Sequence, residues 1–399
     1  MRRSLPGSIL VRTGLRLLRG YTGPAARAFA AACSDAEGTQ ARVLAELVRG
    51  AADTGYGRHH QIRGDEDHAG FAAKLPVVGW DELQPWLAEE RGAPGALAPA
   101  PVTAWVRSAG KTGPAKRVPY TARLRKAFQH MFYVWTHDLL GSGLKLSKGF
   151  CYLNVVAPDL VRDGRGDIED EAEYLDGSLG PIARRFFVVD PRIRRLHDAD
   201  AFRTVLTLSL LSAVDLEVVS VWDPRELLDY LDLALARRDE LADALDGRAV
   251  EREGMTFRFD PLGPERRAAL AAGDLAGVWP SLKLISCWTT AGAAAGAAEL
   301  AAHFPAARLQ GKGLICVEAP ITVPLEAAGG YLPLVDQVFL ELEGPDGSLR
   351  LLHQAEDGGE YAVIVSQPAG LLRYRIGDRV RVTGRWQGTP CLEYLGRER

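Results

Sequence analysis

The sequence predicts a mixed α/β fold that gives way to a mostly antiparallel, β-rich region near the C-terminus. Segments with helical spacing of apolar residues alternate with β-branched and aromatic runs through most of the chain. From Tyr331 onward the texture changes to short β-rich runs (Gln337–Leu342, Leu349–His353, Tyr361–Ser366, Arg379–Thr383, Cys391–Tyr394) separated by Gly, Pro and Asp turns. With 399 residues and 47% hydrophobic content, the chain can fill one large core or two ordinary ones. The change of texture places an α/β region at 1–328 and a β-rich region at 329–399.

Taken in order, Arg2 and Arg3 precede an apolar patch that Arg12, Arg16 and Arg19 interrupt, so the N-terminus reads as an amphipathic helix rather than a secretion signal. Residues 40–50 place Val43, Leu44 and Leu47 on one helical face, with Gly50 as the stop. Pro76 and Trp80-Asp81-Glu82-Leu83 predict an extended entry and a short helix capped by Asp81. A Pro/Ala/Gly loop from Gly92 to Pro101 leads to a strand at Val102–Val106, a Gly-rich turn, and a helix from Thr121 through Leu140. Leu216–Val221 alternates apolar and polar residues as a strand does. Asp223-Pro224 then starts a helix expected to run into the 240s, with Asp as cap and Pro at the first helical position. The Ala-rich stretch Ala291–Phe304 reads as a further helix.

Composition removes several classes of function. Net charge is −3, with 48 basic and 51 acidic side chains, so no basic surface argues for nucleic acid. The longest apolar stretch, Val205–Trp222, contains Asp215 and Glu217 and does not read as a membrane span. Cys33, Cys151, Cys287, Cys316 and Cys391 are odd in number and lack metal-ligand spacing, which fits free thiols and a cytoplasmic setting. The eight histidines form no pair at metal spacing, and no Gly-x-Ser-x-Gly elbow occurs. Nothing specifies an oligomeric state.

Three segments carry chemical content. Ser108-Ala-Gly110-Lys111-Thr112-Gly113-Pro-Ala-Lys116 has small residues that let backbone N–H groups curl round a phosphate, hydroxyls to donate to it, and two lysines to neutralise it. A basic surface turn is the plain alternative. A Walker A loop is excluded, because Trp105 stands where its first glycine is needed. Glu318 follows the apolar run Gly313–Val317; at a strand end it is a hard-oxygen ligand for Mg²⁺, or simply an edge-exposed glutamate. Asp378, in Tyr374-Arg-Ile-Gly-Asp378, follows a glycine at an expected strand-to-strand turn. There its two oxygens can accept from vicinal ribose hydroxyls, although Gly-Asp is also common in ordinary β-turns.

Taken together these residues resemble the GH3 family of acyl-acid amido synthetases. Val43 to Gly57 and Leu75 to Trp86 are similar to the family's opening. Ser108–Lys116, running into Val118-Pro-Tyr-Thr121, resembles its first nucleotide motif; Gly311-Lys-Gly-Leu-Ile-Cys-Val-Glu318 resembles the second and Tyr374–Asp378 the third. Arg373 to Arg397 is the closest match. The resemblance implies the large N-terminal domain of the adenylate-forming fold: mixed sheets flanked by helices, then a β-rich, barrel-like subdomain. It further implies ATP and Mg²⁺, a small carboxylic acid activated as an acyl-adenylate, and an amine or amino acid as acceptor. By that resemblance Ser108, Gly110, Lys111, Thr112, Gly113 and Lys116 hold phosphates, with Lys116 and Glu318 at the chemistry and Glu318 on the metal. Leu314, Cys316, Val317, Tyr374, Asp378 and Arg397 surround adenine and ribose. Phe132 and Trp135, on the helix from Thr121, are candidates for the acid pocket or for plain core.

The sequence departs from the family pattern at Ala109, Lys111, Val317 and Ile376, where hydroxyl residues are usual in the family or its superfamily. Family members continue beyond the Gly-Arg at 396–397 into a smaller lid domain. Here the sequence stops at Arg399, so the lid is expected to be absent from this chain. A non-catalytic nucleotide- or acid-binding relative is the alternative these departures raise.

Overall fold

The computed structural model describes residues 7–108, 116–155 and 186–398. Two compact units emerge, neither continuous in sequence. One comprises residues 7–18, 143–155 and 186–312. Its centre is a parallel sheet in the order Phe150–Leu153, Leu216–Ser220, Leu284–Cys287, Arg308–Gly311. Parallel neighbours need crossover connections, and helices including Ala199–Ser212, Pro224–Ala236 and Ala294–His303 supply them. Phe202, Val205, Leu206, Leu228, Ile285 and Leu300 close the core between helices and sheet.

Local chemistry explains where this unit departs from expectation. Every residue of Leu216–Ser220 is buried, so its polar–apolar alternation does not mark a wet face. Glu217 is fully buried because its carboxylate accepts the backbone N–H groups of Ser147, Lys148 and Gly149 at 2.7–2.9 Å and pairs with Lys283. Burial alone would raise its pKa, but Lys283 and these N–H groups hold it below the ordinary glutamate value. Asp223 caps the next helix as expected, accepting from Arg225 N at 2.9 Å, but that helix breaks at Arg237 and restarts as Arg238–Asp246. The Ala-rich segment opens with a 3₁₀ turn at Ala291–Ala293, Ala291 lying at φ +52°, before the α-helix Ala294–His303.

The second unit comprises residues 19–108, 116–142 and 313–398. An antiparallel sheet runs in the order Leu349–Leu351, Phe339–Glu343, Glu360–Ser366, Tyr374–Trp386, Thr389–Arg397. Among the described residues its hydrogen-bonded edges are Leu349–Leu351 and Thr389–Arg397. Hairpins pair Val102–Arg107 with Arg117–Thr121, Ile315–Cys316 with Ala319–Pro320, and Thr322–Leu325 with Gly330–Pro333. The helix Ala36–Ala51 buries Val43, Leu44 and Leu47 as its spacing predicts. Gln40 on the same face donates to the Val335 and Val338 carbonyls at 2.7 Å and accepts from Leu340 N at 2.9 Å. The helix after Pro76 is longer than expected, Trp80–Gly92, and Asp81 does not cap it. Gly79 is the cap, with the Glu82 carboxylate reaching back to its N–H at 3.0 Å. The helix Ala122–Gly141 is capped by Thr121, whose hydroxyl accepts from Leu124 N. Among the described residues no helix is long and apolar enough to cross a membrane, and all five cysteines are free.

One buried ion pair ties segments distant in sequence within this unit. Arg373, held at φ +48°, makes a two-pronged contact with Glu341 at 2.8 and 2.9 Å and donates to the Leu75 and Ala72 carbonyls at 2.6 and 3.1 Å. His68 joins the same carboxylate at 2.9 Å. The two side chains of the pair are 4% and 1% exposed. Removing one partner of such a pair strands the other charge, a loss of about 3–5 kcal/mol. Arg373→Met is therefore expected to lower the urea stability of the protein by that amount. A loss below about 1 kcal/mol would mean that His68 alone compensates Glu341.

Candidate active site

The first functional segment is anchored at its ends. Ser108 N donates to the Lys116 carbonyl at 2.9 Å, and Lys116 N donates to the Ser108 hydroxyl at 2.9 Å. These bonds extend the hairpin of Val102–Arg107 and Arg117–Thr121 by one step, so Ser108 serves here as a stem clasp. Gly110, Lys111, Thr112 and Gly113 lie outside the described residues, as does Ala109.

Glu318 does not end a long buried strand. The apolar run before it forms only a two-residue strand, Ile315–Cys316, which pairs with Ala319–Pro320 and leaves Val317 and Glu318 as the connecting loop. Two clasps shape this turn. Thr322 Oγ1 accepts from Leu314 N at 2.8 Å, and the buried Tyr120 hydroxyl donates to the Val317 carbonyl at 2.7 Å. Gly313 enters at φ +72°, where an added Cβ would meet Thr322 Oγ1 at 2.4 Å. Leu314 is core, 4% exposed. The Cys316 thiol donates to the Ala319 carbonyl at 3.3 Å; burial, then Glu318 and Asp378, push its pKa well above the ordinary thiol value.

Asp378 sits not at a strand-to-strand turn but inside the strand Tyr374–Trp386. Gly377 takes φ +79° within that strand, and the register shifts just after Asp378. Asp378 is directly opposite Arg397 on the neighbouring strand, which explains their contact of 3.3 Å. Tyr394 also donates to Asp378 Oδ1 at 3.3 Å, and Arg397 Nη1 donates to the Ile376 carbonyl at 2.5 Å.

These pieces converge. Lys116 Nζ lies 3.0 Å from Glu318 Oε1 and donates to the Tyr374 hydroxyl at 2.7 Å, and that hydroxyl donates to the same glutamate oxygen at 3.3 Å. The ammonium sits 5.4 Å from the centres of both the Trp80 and Tyr374 rings. A parallel bridge of Val78 to Tyr374 delivers Trp80 edge-on to Tyr374, with ring centres 6.2 Å apart. Burial pushes the Asp378 carboxyl up to about 6; Arg397 and Lys116 pull the other way, while Glu318 adds to the rise. Burial, then Glu318, likewise keeps the Tyr374 hydroxyl protonated far above the usual tyrosine range. The structure thus gathers Lys116, Glu318, Tyr374, Asp378 and Arg397 into one electrostatic cluster. Sequence reasoning did not assign Trp80, Tyr120 or Tyr394 to it. Each is an aromatic ring with a polar edge, and only the pairing of distant strands reveals what that edge meets. Phe132 is 3% exposed core, and Trp135 packs edge-on against it at 6.3 Å, half-buried. Among the described residues no group of three or more metal-ligating side chains occurs.

Residues 25–165 match the GH3 family N-terminal domain, and residues 336–397 match the GH3 family central domain, together more than half of the chain. The chain belongs to the GH3 family. Indole-3-acetic acid-amido synthetase GH3.8 of Oryza sativa subsp. indica is 24% identical across 92% of this GH3 chain and 67% of its own length. Indole-3-acetic acid-amido synthetase GH3.2 of Arabidopsis thaliana is 21% identical across 91% and 74%. The fold is that of the AtGH3.15 acyl acid amido synthetase solved with 2,4-DB: TM-score 0.81, 17% identity, 95% of this chain and 71% of that one. A more distant fold match is 2-hydroxyisobutyryl-CoA ligase in complex with 2-HIB-AMP and CoA, at TM-score 0.55 and 14% identity, over 90% and 69%.

The raised Asp378 pKa fixes a sign for pH dependence. A carboxyl that binds its proton more tightly in the folded state adds stability below its unfolded pKa of about 3.9, and that stability is lost as pH rises through about 6. Wild-type stability should therefore fall relative to Asp378→Asn between pH 4 and pH 6.5, by on the order of 2–3 kcal/mol. Urea unfolding of both proteins across that range checks it; parallel curves would place the Asp378 pKa near its ordinary value.

Proposed function

We propose that this GH3 chain uses ATP to activate a small carboxylic acid as its acyl-adenylate and passes the acyl group to an amine or amino acid. The observation that carries the reading is the meeting of Lys116, Glu318 and Tyr374 within 3.3 Å, with Asp378 in the same field, from segments far apart in sequence. Relatives whose names state acyl-acid amido synthesis support the same reading.

Each residue has a chemical task in this scheme. Lys116, with the Ser108–Gly113 loop, neutralises the phosphates so that a carboxylate anion can approach the α-phosphorus. Attack forms the acyl–phosphate bond and expels pyrophosphate. Asp378 accepts from the ribose hydroxyls, and Arg397, bonded to both Asp378 and the Ile376 carbonyl, holds that carboxylate in place. Tyr374 and the Leu314–Val317 turn border the nucleotide. Glu318 would hold a Mg²⁺ ion accompanying ATP. It is a hard oxygen donor at 5% exposure, and Mg²⁺ ordinarily takes one or two protein carboxylates and leaves its other positions to water and phosphate. The metal there would withdraw charge from the phosphate oxygens.

Val317 favours a second reading, a nucleotide-binding relative without turnover. Its side chain cannot donate to a phosphate oxygen, while its carbonyl accepts from the Tyr120 hydroxyl. Acid-dependent exchange of labelled pyrophosphate into ATP separates the two readings. The enzyme reading expects exchange with at least one small acid and a loss of at least about 100-fold in Glu318→Gln and Lys116→Met. No exchange with any acid, together with calorimetric ATP binding, leaves the second reading standing.

Nucleotide affinity should also follow the Asp378 carboxyl. Only the ionised form accepts from both ribose hydroxyls, so the apparent ATP Kd should weaken about tenfold from pH 7 to pH 5, and should not do so in Asp378→Asn. A flat profile in the wild type would remove Asp378 from the ribose.

A further inference from the structure

Lys116 is held by groups that recognise a cation as such: one carboxylate oxygen, one hydroxyl oxygen and two ring faces. Glu318 and Tyr374 are 5% and 1% exposed, so the seat itself lies out of bulk water. A carboxylate buried to that degree requires a compensating positive charge. The side chain supplying it is the most accessible of the three, 22% exposed, and its main chain is pinned by the Ser108 clasp. The ammonium can therefore leave by rotation of its own side chain while the backbone stays in place. Tyr374 remains behind, because its hydroxyl also bonds Glu318 and its main chain is fixed by the Val78 bridge.

From this geometry we infer that Lys116 is an exchangeable counter-ion of Glu318. It fills the carboxylate's cation seat until a polyanion draws it away, and a divalent cation can enter only then. Tyr374 is the positioning residue that preserves the seat in both states. The inference deepens the proposed function, resting on it only for the identity of the polyanion as a nucleotide triphosphate. An ammonium and a divalent cation drawn to one carboxylate repel each other, and the lysine on Oε1 neutralises the charge that would attract the metal, so metal and ammonium compete, whereas metal and polyanion assist each other. By thermodynamic linkage that assistance is reciprocal.

The test titrates Mn²⁺ into the nucleotide-free full chain, reading free Mn²⁺ by electron paramagnetic resonance. Lys116→Met should bind Mn²⁺ at least about tenfold more tightly than wild type, and the gain should vanish in the double variant with Glu318→Gln. Lys116→Gln, with circular dichroism as a check on folding, guards against a misfolded methionine variant. A second arm measures ATP binding in the presence of EDTA. Glu318→Gln should bind metal-free ATP about tenfold more tightly than wild type, because the lysine is already released. Equal Mn²⁺ affinity in wild type and both Lys116 variants, or a gain that survives Glu318→Gln, overturns the exchange. Absence of ATP binding in every protein overturns the nucleotide reading instead, and the Mn²⁺ arm still decides the exchange.

Discussion

A carboxylate that is 5% exposed cannot stand uncompensated, and the candidate site is organised around meeting that demand at Glu318. The glutamate sits on a two-residue loop, which alone would fray. Tyr120 grips the carbonyl beside it, and Thr322 closes the turn from behind. Lys116 then arrives from one hairpin and Tyr374 from the antiparallel sheet. Withdrawing Lys116 with nothing in its place would leave a buried charge unpaired, so the carboxylate couples its own turn to the Lys116 hairpin and the Tyr374 strand. Arg373, the neighbour of Tyr374 in the chain, acts in a similar way: its pairing with Glu341 sets the start of the strand that carries both Tyr374 and Asp378.

Two carboxylates share the region and are treated differently. Glu318 receives an ammonium at 3.0 Å, whereas Asp378 receives a longer contact from a guanidinium that also serves the Ile376 carbonyl. Burial consequently dominates at Asp378, and its carboxyl rises toward neutral pH. A group that is costly to ionise alone but surrounded by oriented partners is suited to receive further hydrogen-bond donors, since each one offsets some of the desolvation. Under the proposed function, the two ribose hydroxyls of a nucleotide would supply two such donors.

How much of this was legible in the sequence depended on the range of the interaction. The helix cap at Asp223, and the buried stripe of Val43, Leu44 and Leu47, follow from residues within a few positions of one another, and they appear where the sequence places them. The candidate residues Lys116, Glu318, Tyr374 and Asp378 were singled out by the resemblance of three motifs, in order, to those of the GH3 family. Their local settings were not. Gly-Asp reads as a turn, yet Gly377 takes its left-handed conformation inside a long strand, where Asp378 pairs directly opposite Arg397 and accepts from Tyr394. Glu217 reads as one polar position of an alternating strand, yet three N–H groups from residues 147–149 and a lysine bury it. In each case the deciding partner lies on another strand or loop, and no local periodicity encodes it. The helical aromatics Phe132 and Trp135 illustrate the converse: spacing placed them on a helix, but could not say whether they face a ligand or the core.

Val317 shows why fold and chemistry separate at this site. The loop owes its shape to main-chain contacts: the Tyr120 bond to the carbonyl of residue 317, the Thr322 clasp and the left-handed Gly313. None of these involves the side chain at 317. Threonine and valine share a β-branched shape, so either residue can occupy the turn while Glu318 and Lys116 remain paired. The turn's main-chain contacts therefore do not require a particular side chain at 317. A half-buried valine beside the Lys116–Glu318–Tyr374 cluster is thus compatible with an intact scaffold, and what the turn forgoes at 317 is a side-chain hydrogen-bond donor.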